Sequence, residues 1–285
     1  MPKAILFVNL RKENAQSLAE EITLRLESMN FQADIFNFQE KSDLRSDYDI
    51  AFSLGGDGTV LYTARTMAPL GVPIIPINMG TLGFIAAVRP EKWKDVFDSW
   101  LQNKAPLSRR LMLEAQVKRR GVELYRLSCL NDIVISASGN LRMIRLQVLL
   151  STGESPMRLG QYRSDGLIIA TPTGSTAYSV SAGGPVLDPE LEAVIINPIC
   201  PFTLSYRPLV LSAKENIIVQ VEEEQRTGVL LTVDGQANEP LEPGDQVFIS
   251  PSSRRVILIS SDRTVFYKTL ETKFSWLEIP GASHA

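Results

Sequence analysis

The chain has 285 residues, 44% of them hydrophobic and 21% charged, with a formal net charge of −3. That length suits two domains or one large one, the balance is that of an ordinary soluble globular protein, and the charge implies neither a nucleic-acid partner nor an anionic membrane surface. Arg109-Arg110 and Lys118-Arg119-Arg120 read as solvated strand ends. The opening MPKAILFVNL is too short and too quickly polar for a signal peptide, and no apolar run approaches the length of a transmembrane helix. Cys129 and Cys200 are the only cysteines, a usage that fits a reduced, cytoplasmic protein. The only histidine is His284, next to last. Ser-His-Asp and Cys-His mechanisms therefore lack a base, and histidine-rich metal sites are excluded. Any proton transfer falls to Asp, Glu, Lys, Tyr or water.

In chain order, AILFVNL (4–10) reads as a short buried strand. Residues 14–29 follow, with Ala15, Leu18, Ala19, Ile22 and Leu26 at helical spacing. FQADIFNF (31–38), YDIAFSL (48–54), a helix after Gly58 and VPIIPIN (72–78) continue the alternation. Strand then helix, repeated, is the pattern of a parallel sheet with helices on its faces. Pro90 opens PEKWKDVFDSWLQN, where Trp93, Val96, Phe97 and Trp100 share a helical face. After Pro106 strand-like runs dominate: RLMLEAQVKR, LYRLSCLNDIVIS, MIRLQVLLST, DGLIIATP, RPLVLS, NIIVQVEE, GVLLTVDG, QVFISP, RVILISS and TVFYKT. SGN, TGES, EPGD and PSS punctuate them as turns. The expected fold is α/β: an N-terminal three-layer α/β domain over residues 1–105, carrying GGDGT, then a β-rich, sandwich-like domain over 106–285. The last residues are free to return to the first domain.

Four stretches stand out. In GGDGT (55–59) a glycine-rich turn between strand and helix can aim backbone N–H groups at a phosphate, and Asp57 places one carboxylate among glycines. The spacing is that of neither a Rossmann fingerprint nor a Walker loop, and the pentapeptide alone fits a plain turn equally well. NMGTLGF (78–84) begins with Asn78 at a strand end, where open α/β sheets bind ligands, and by itself it also fits a simple connection. Asn131-Asp132 interrupts an otherwise buried run; the pair suits ribose hydroxyls, or marks a bulge or strand end. Finally, RSDGLIIATPTGSTAYSVSAGGP (163–185) packs hydroxyls over 171–176 ahead of an aromatic, Tyr178, that can stack on a base. One hydroxyl would suffice for an N-cap, so this density favours ligand binding. Asp165-Gly166 in the same stretch also reads as a tight turn.

Together, GGDGT, NMGTLGF, LNDIVI (130–135), SDGLIIATPTGSTAYSVSAGGP (164–185) and CPFTLSYRPLV (200–210) resemble the NAD kinase family, from Ile5 to about Tyr267. GGDGT alone is shared with diacylglycerol kinases, sphingosine kinases and phosphofructokinases; the 164–185 stretch is far more specific. The resemblance implies Mg²⁺-dependent transfer (or transfer with another divalent cation) of the ATP γ-phosphoryl group to the adenosine-ribose 2′-hydroxyl of NAD. It also implies a homodimer or homotetramer. Asp57 corresponds to the proton acceptor, with Gly58 beside the dinucleotide. Gly55, Gly56, Thr59 and Asn78 are the phosphate-side loop positions. Asn131 and Asp132 correspond to ribose ligands, and Arg163 and Asp165 to dinucleotide contacts. Thr176, Ala177, Tyr178, Ser179, Val180 and Ser181 correspond to the adenine-side wall, and Arg142 and Gln236 to further contacts in more variable surroundings. Phe202 stands where the family often has histidine. Two other readings exist. A lipid kinase would need an apolar pocket, against which the polar run at 171–181 argues. A non-catalytic dinucleotide sensor could dispense with Asp57, which this chain has.

Overall fold

The computed structural model describes residues 1–36, 44–81, 83–139, 143–151, 155–203 and 205–274. It divides into two compact units, Met1–Arg110 with the chain from Val256 onward, and Leu111–Arg255. In the first unit the chain runs through β1 (Lys3–Val8), α1 (Ala15–Ser28), β2 (Gln32–Phe36), β3 (Ile50–Gly55), α2 (Asp57–Met67), β4 (Ile74–Asn78) and α3 (Trp93–Leu101). Strand β5 (Leu107–Arg119) carries it into the second unit, through β6 (Val122–Cys129), β7 (Asp132–Ser138), β8 (Ile144–Leu150), β9 (Met157–Ser164) and β10 (Gly166–Ala170). Then come α4 (Tyr178–Ser181), β11 (Ala193–Ile199), β12 (Leu209–Ser212), β13 (Ile217–Val221), β14 (Gly228–Val233) and β15 (Ala237–Leu241). Strand β16 (Gln246–Ile259) returns to the first unit, where α5 (Arg263–Phe274) follows.

The first unit is the expected α/β layer arrangement. Its strands pair in parallel in the order β2-β1-β3-β4, and the end of β16 joins β4 in parallel through Leu258 and Ile74. Alternate residues of each strand feed opposite faces. Ala4, Leu6, Val8, Phe52 and Leu54 pack with Ile22 and Leu26 of α1 and with Trp93 and Phe97 of α3. On the other face Phe7 meets Tyr62 of α2, ring centroids 6.1 Å apart. The helical spacing read from the sequence thus corresponds to buried stripes on α1 and α3.

The second unit is a sandwich. One sheet runs β12-β11-β10-β7-β14-β15, antiparallel throughout. Facing it, β16-β13-β8-β9 pair antiparallel, and β5 pairs with β6. Ile133, Ile135, Leu167 and Leu231 of the first sheet share a core with Leu146, Val148, Val219 and Val247 of the second, the interdigitation expected of stacked sheets.

The structure corrects several details. TVFYKT (264–269) is not a strand but part of α5. Asp262 caps that helix, its Oδ1 accepting from Val265 N at 3.1 Å, and Phe266, Thr269 and Leu270 form its buried stripe. PSS does not turn the chain: β16 continues through it, because Ser252 Oγ donates to Glu114 Oε1 at 2.7 Å and accepts from Arg254 N at 3.1 Å. The run LYRLSCLNDIVIS divides into β6 and β7, which belong to different sheets. Strands β9, β11 and β15 were not expected from the sequence.

Candidate active site

In the first unit the strand order reverses direction between β1 and β3, the place where open α/β sheets characteristically bind ligands. Strand β3 ends at Gly55, and α2 begins at Asp57, earlier than the sequence suggested, with Gly56 as its extended N-cap residue. Asp57 therefore lies in the first turn of a helix, where the positive end of the macrodipole favours a carboxylate. It accepts three consecutive backbone N–H groups: Phe84 to Oδ2 at 3.0 Å, Ile85 to Oδ1 at 3.1 Å and Ala86 to Oδ1 at 2.8 Å. A Cβ on Gly83 would stand 2.0 Å from Oδ1, so only glycine permits the approach. GGDGT and NMGTLGF, separate in sequence, are one construction. A carboxylate offers about four lone-pair positions, so the three N–H groups leave room for one further donor. Asp57 is half-buried and Gly58 exposed, so that position is reachable. Asn78 is committed to its own loop, donating to Thr81 O at 2.8 Å and accepting from Gly80 N at 2.9 Å.

The remaining site residues belong to the second unit. Asn131 lies in the turn from β6 to β7 and Asp132 opens β7; both line a cavity of about 360 Å³ with Ala177, Tyr178, Thr232 and Asp234. Asn131 Oδ1 is buried and has no hydrogen-bond partner among the described residues. A buried acceptor left unmatched costs free energy, so a ligand donor would be well received there. Burial, and after it the charge of Asp234, pushes the Asp132 carboxyl up to about 7. The turn is gripped from both sides. The Asp234 carboxylate accepts from Leu130 N (3.1 Å), Asn131 N (2.7 Å) and Asp132 N (3.3 Å). Thr171 takes the opposite edge, its N–H donating to Asn131 O at 2.9 Å and its hydroxyl to Leu130 O. Gly174 is required here too, since a Cβ would fall 2.1 Å from Asn131 O.

The hydroxyl density of 171–176 has a structural use. Thr171 Oγ1 also accepts from Gly174 N at 3.0 Å, Ser175 Oγ bonds Pro172 O at 2.7 Å and Leu187 N at 3.0 Å, and Thr176 Oγ1 donates to Thr173 O at 3.4 Å. Of the hydroxyls in this stretch, Thr173 Oγ1 is the one that is buried without a partner among the described residues. Ala177 and Tyr178 face the cavity. Ser179 turns inward, its carbonyl accepting from buried Asn197 Nδ2 at 2.9 Å. Thr176, Val180 and Ser181 do not line the cavity; Ser181 is exposed.

Asp165 does not form a left-handed turn with Gly166. Its backbone continues the ladder, N–H to Ile199 O and C=O from Ala137 N, and its side chain is exposed with no partner among the described residues. Arg163 is exposed, its guanidinium 4.7 Å from the Phe202 ring centroid. Gln236 is exposed in the β14–β15 turn. Arg142 lies outside the described residues. Sequence reasoning missed Asp234, because Asp-Gly in a hairpin reads as an ordinary turn.

Residues 2–105 match the ATP-NAD kinase N-terminal domain and residues 130–261 the ATP-NAD kinase C-terminal domain. An NAD kinase of Treponema denticola is 37% identical over 279 residues, covering 97% of each chain. The NAD kinase of Archaeoglobus fulgidus, solved with ATP, superposes with a TM-score of 0.74 at 25% identity, covering 95% of this chain and 97% of that one. The yeast NADH kinase, solved with NADH, shares the fold, with a TM-score of 0.85 at 21% identity over 100% of this chain and 89% of that one. The protein is a kinase. It belongs to the NAD kinase family.

Proposed function

We propose that this chain transfers the γ-phosphoryl group of ATP to the adenosine-ribose 2′-hydroxyl of NAD, giving NADP and ADP. Family membership over nearly the whole chain favours this over the lipid-kinase and sensor readings. The observation that carries it in the structure is Asn131, whose buried Oδ1 has no partner among the described residues and which lines, with Asp132, a cavity bounded by the aromatic Tyr178. A ribose supplies the hydroxyl donors and an adenine the face for the ring.

Asp57 is the proton acceptor. A ribose hydroxyl is far too weak an acid to be ionised beforehand, so the remaining lone pair of Asp57 orients the hydroxyl and takes its proton as the oxygen–phosphorus bond forms and the bond to ADP breaks. Gly55, Gly56 and Thr59 present the start of α2 to the donor phosphates. Arg163, Asp165, Arg142 and Gln236 are further dinucleotide contacts. When bound, Mg²⁺ would supply charge neutralisation at the donor phosphates. The protein works in the cytoplasm as a homodimer or homotetramer. The test is direct: incubate with NAD, ATP and Mg²⁺ and read NADP with an NADP-specific dehydrogenase. NADP is expected, and its formation stops with EDTA; no NADP over a long incubation with folded protein overturns the reading.

A further inference from the structure

Asp234 takes no part in the proposed proton transfer, yet it is buried, 7% exposed, at the edge of the cavity. It and Gly235 form the β14–β15 turn with φ of 50° and 64°. Such a hairpin turn is served as well by asparagine as by aspartate, so the turn does not explain a buried carboxylate. The hydrogen bonds do. Oδ1 accepts from Asn131 N and Asp132 N, and Oδ2 from Leu130 N. Asparagine has one acceptor oxygen and would point its NH₂ at an N–H donor on the other side. Only an anion satisfies three donors here. The backbone N–H of Asp234 also donates to Asp132 O at 2.9 Å, so the two turns are tied in both directions.

We propose that Asp234 is a positioning residue for NAD binding: its carboxylate fixes the Leu130–Asp132 turn so that the Asn131 and Asp132 side chains meet the ribose. Asp234 need not touch the dinucleotide itself. The proposal rests on the reading of Asn131 and Asp132 as ribose ligands, and the experiment separates the two. Asp234→Asn, Asn131→Ala and Asp132→Ala are compared by steady-state kinetics in NAD and in ATP, with thermal unfolding of each. Asp234→Asn is expected to raise KM for NAD about 10-fold or more, the range for losing a hydrogen bond to a charged group, with KM for ATP unchanged. A purely structural Asp234 would lower the melting temperature while the folded enzyme kept the wild-type KM for NAD, and that result overturns the proposal. If Asn131→Ala and Asp132→Ala raise KM for NAD while Asp234→Asn does not, positioning alone fails. If Asn131→Ala and Asp132→Ala keep the wild-type KM, the ribose-ligand reading fails and takes the positioning role with it. Should Asp234→Asn not fold, Thr171→Val carries the test, since it removes the hydroxyl holding the opposite side of the same turn. A rise of about 2–5-fold in KM for NAD is expected, because only neutral bonds are lost, the one to Leu130 O and the one from Gly174 N, and an unchanged value overturns the proposal.

Discussion

Asp57 and Asp234 make the same hydrogen bonds. Each is followed by glycine, and each accepts three consecutive backbone N–H groups. They differ in access. Asp57 is half-buried at the open carboxyl end of β3, next to exposed Gly58, and retains a reachable lone pair. Asp234 is buried in a left-handed hairpin turn. The pattern of donors alone does not tell a proposed general base from an anchor; access to the carboxylate is what separates them. On the proposed reading the first acts on a proton and the second holds other groups still.

The largest expected effect tests the working half. Asp57→Asn nearly preserves shape, and kcat is expected to fall about 10²–10⁴-fold, the contribution typical of a positioned general base. KM for NAD should change little, the reverse of the partition expected for Asp234→Asn. Steady-state kinetics at several Mg²⁺ concentrations decide it; near-wild-type turnover, or rescue by added Mg²⁺, breaks the contrast.

Next is the neighbour that Asp234 holds. The folded Asp132 carboxyl sits at about 7, above its ordinary value of 3.8, because of burial and then the Asp234 charge. A raised carboxyl favours the folded state fully at low pH, and that contribution is lost as pH rises from about 4 through about 7. Asp132→Asn removes the loss, so the variant is expected to gain stability over wild type above pH 7, by roughly 4 kcal/mol at most. Melting curves of both proteins between pH 5 and 8 show it; parallel curves refute it.

The cradles themselves supply the third test. Gly174→Ala drives a methyl into the Asn131 carbonyl, and overpacking of this kind costs about 1–3 kcal/mol. Denaturant melts should show that loss together with a raised KM for NAD. Smallest is Phe202→Ala. It removes an exposed cation–π contact with Arg163 worth about 0.5–1 kcal/mol, so KM for NAD should rise about 2–5-fold. No change would leave Phe202 without a part in the site.

Much of this was legible in the sequence. The parallel half could be read because its signals are local: the stripe on α1, the apolar runs of β1, β3 and β4, and Pro90 before α3. The β-rich half hid elements whose cues are tertiary. Strand β9 has few apolar residues because it is an edge strand. Strand β11 carries Pro198, which argues against a strand by sequence alone. Helix α5 is rich in aromatic and β-branched residues and depends on the Asp262 cap. The site motifs were visible, but their joints were not: nothing local links Asp57 to 84–86, or Asp234 to 130–132.

The return of β16 to the first unit bears on when the enzyme can first exist. The loop that donates to Asp57 is itself held from behind, Ser261 Oγ donating to Ile85 O at 3.3 Å, and Leu258 closes the same parallel sheet beside Ile74. Both residues follow the whole second unit in the order of translation. A nascent chain displays its GGDGT turn early, but the ribosome must deliver the entire sandwich before that turn receives its last supports. The half that looks self-contained in sequence is the one completed last.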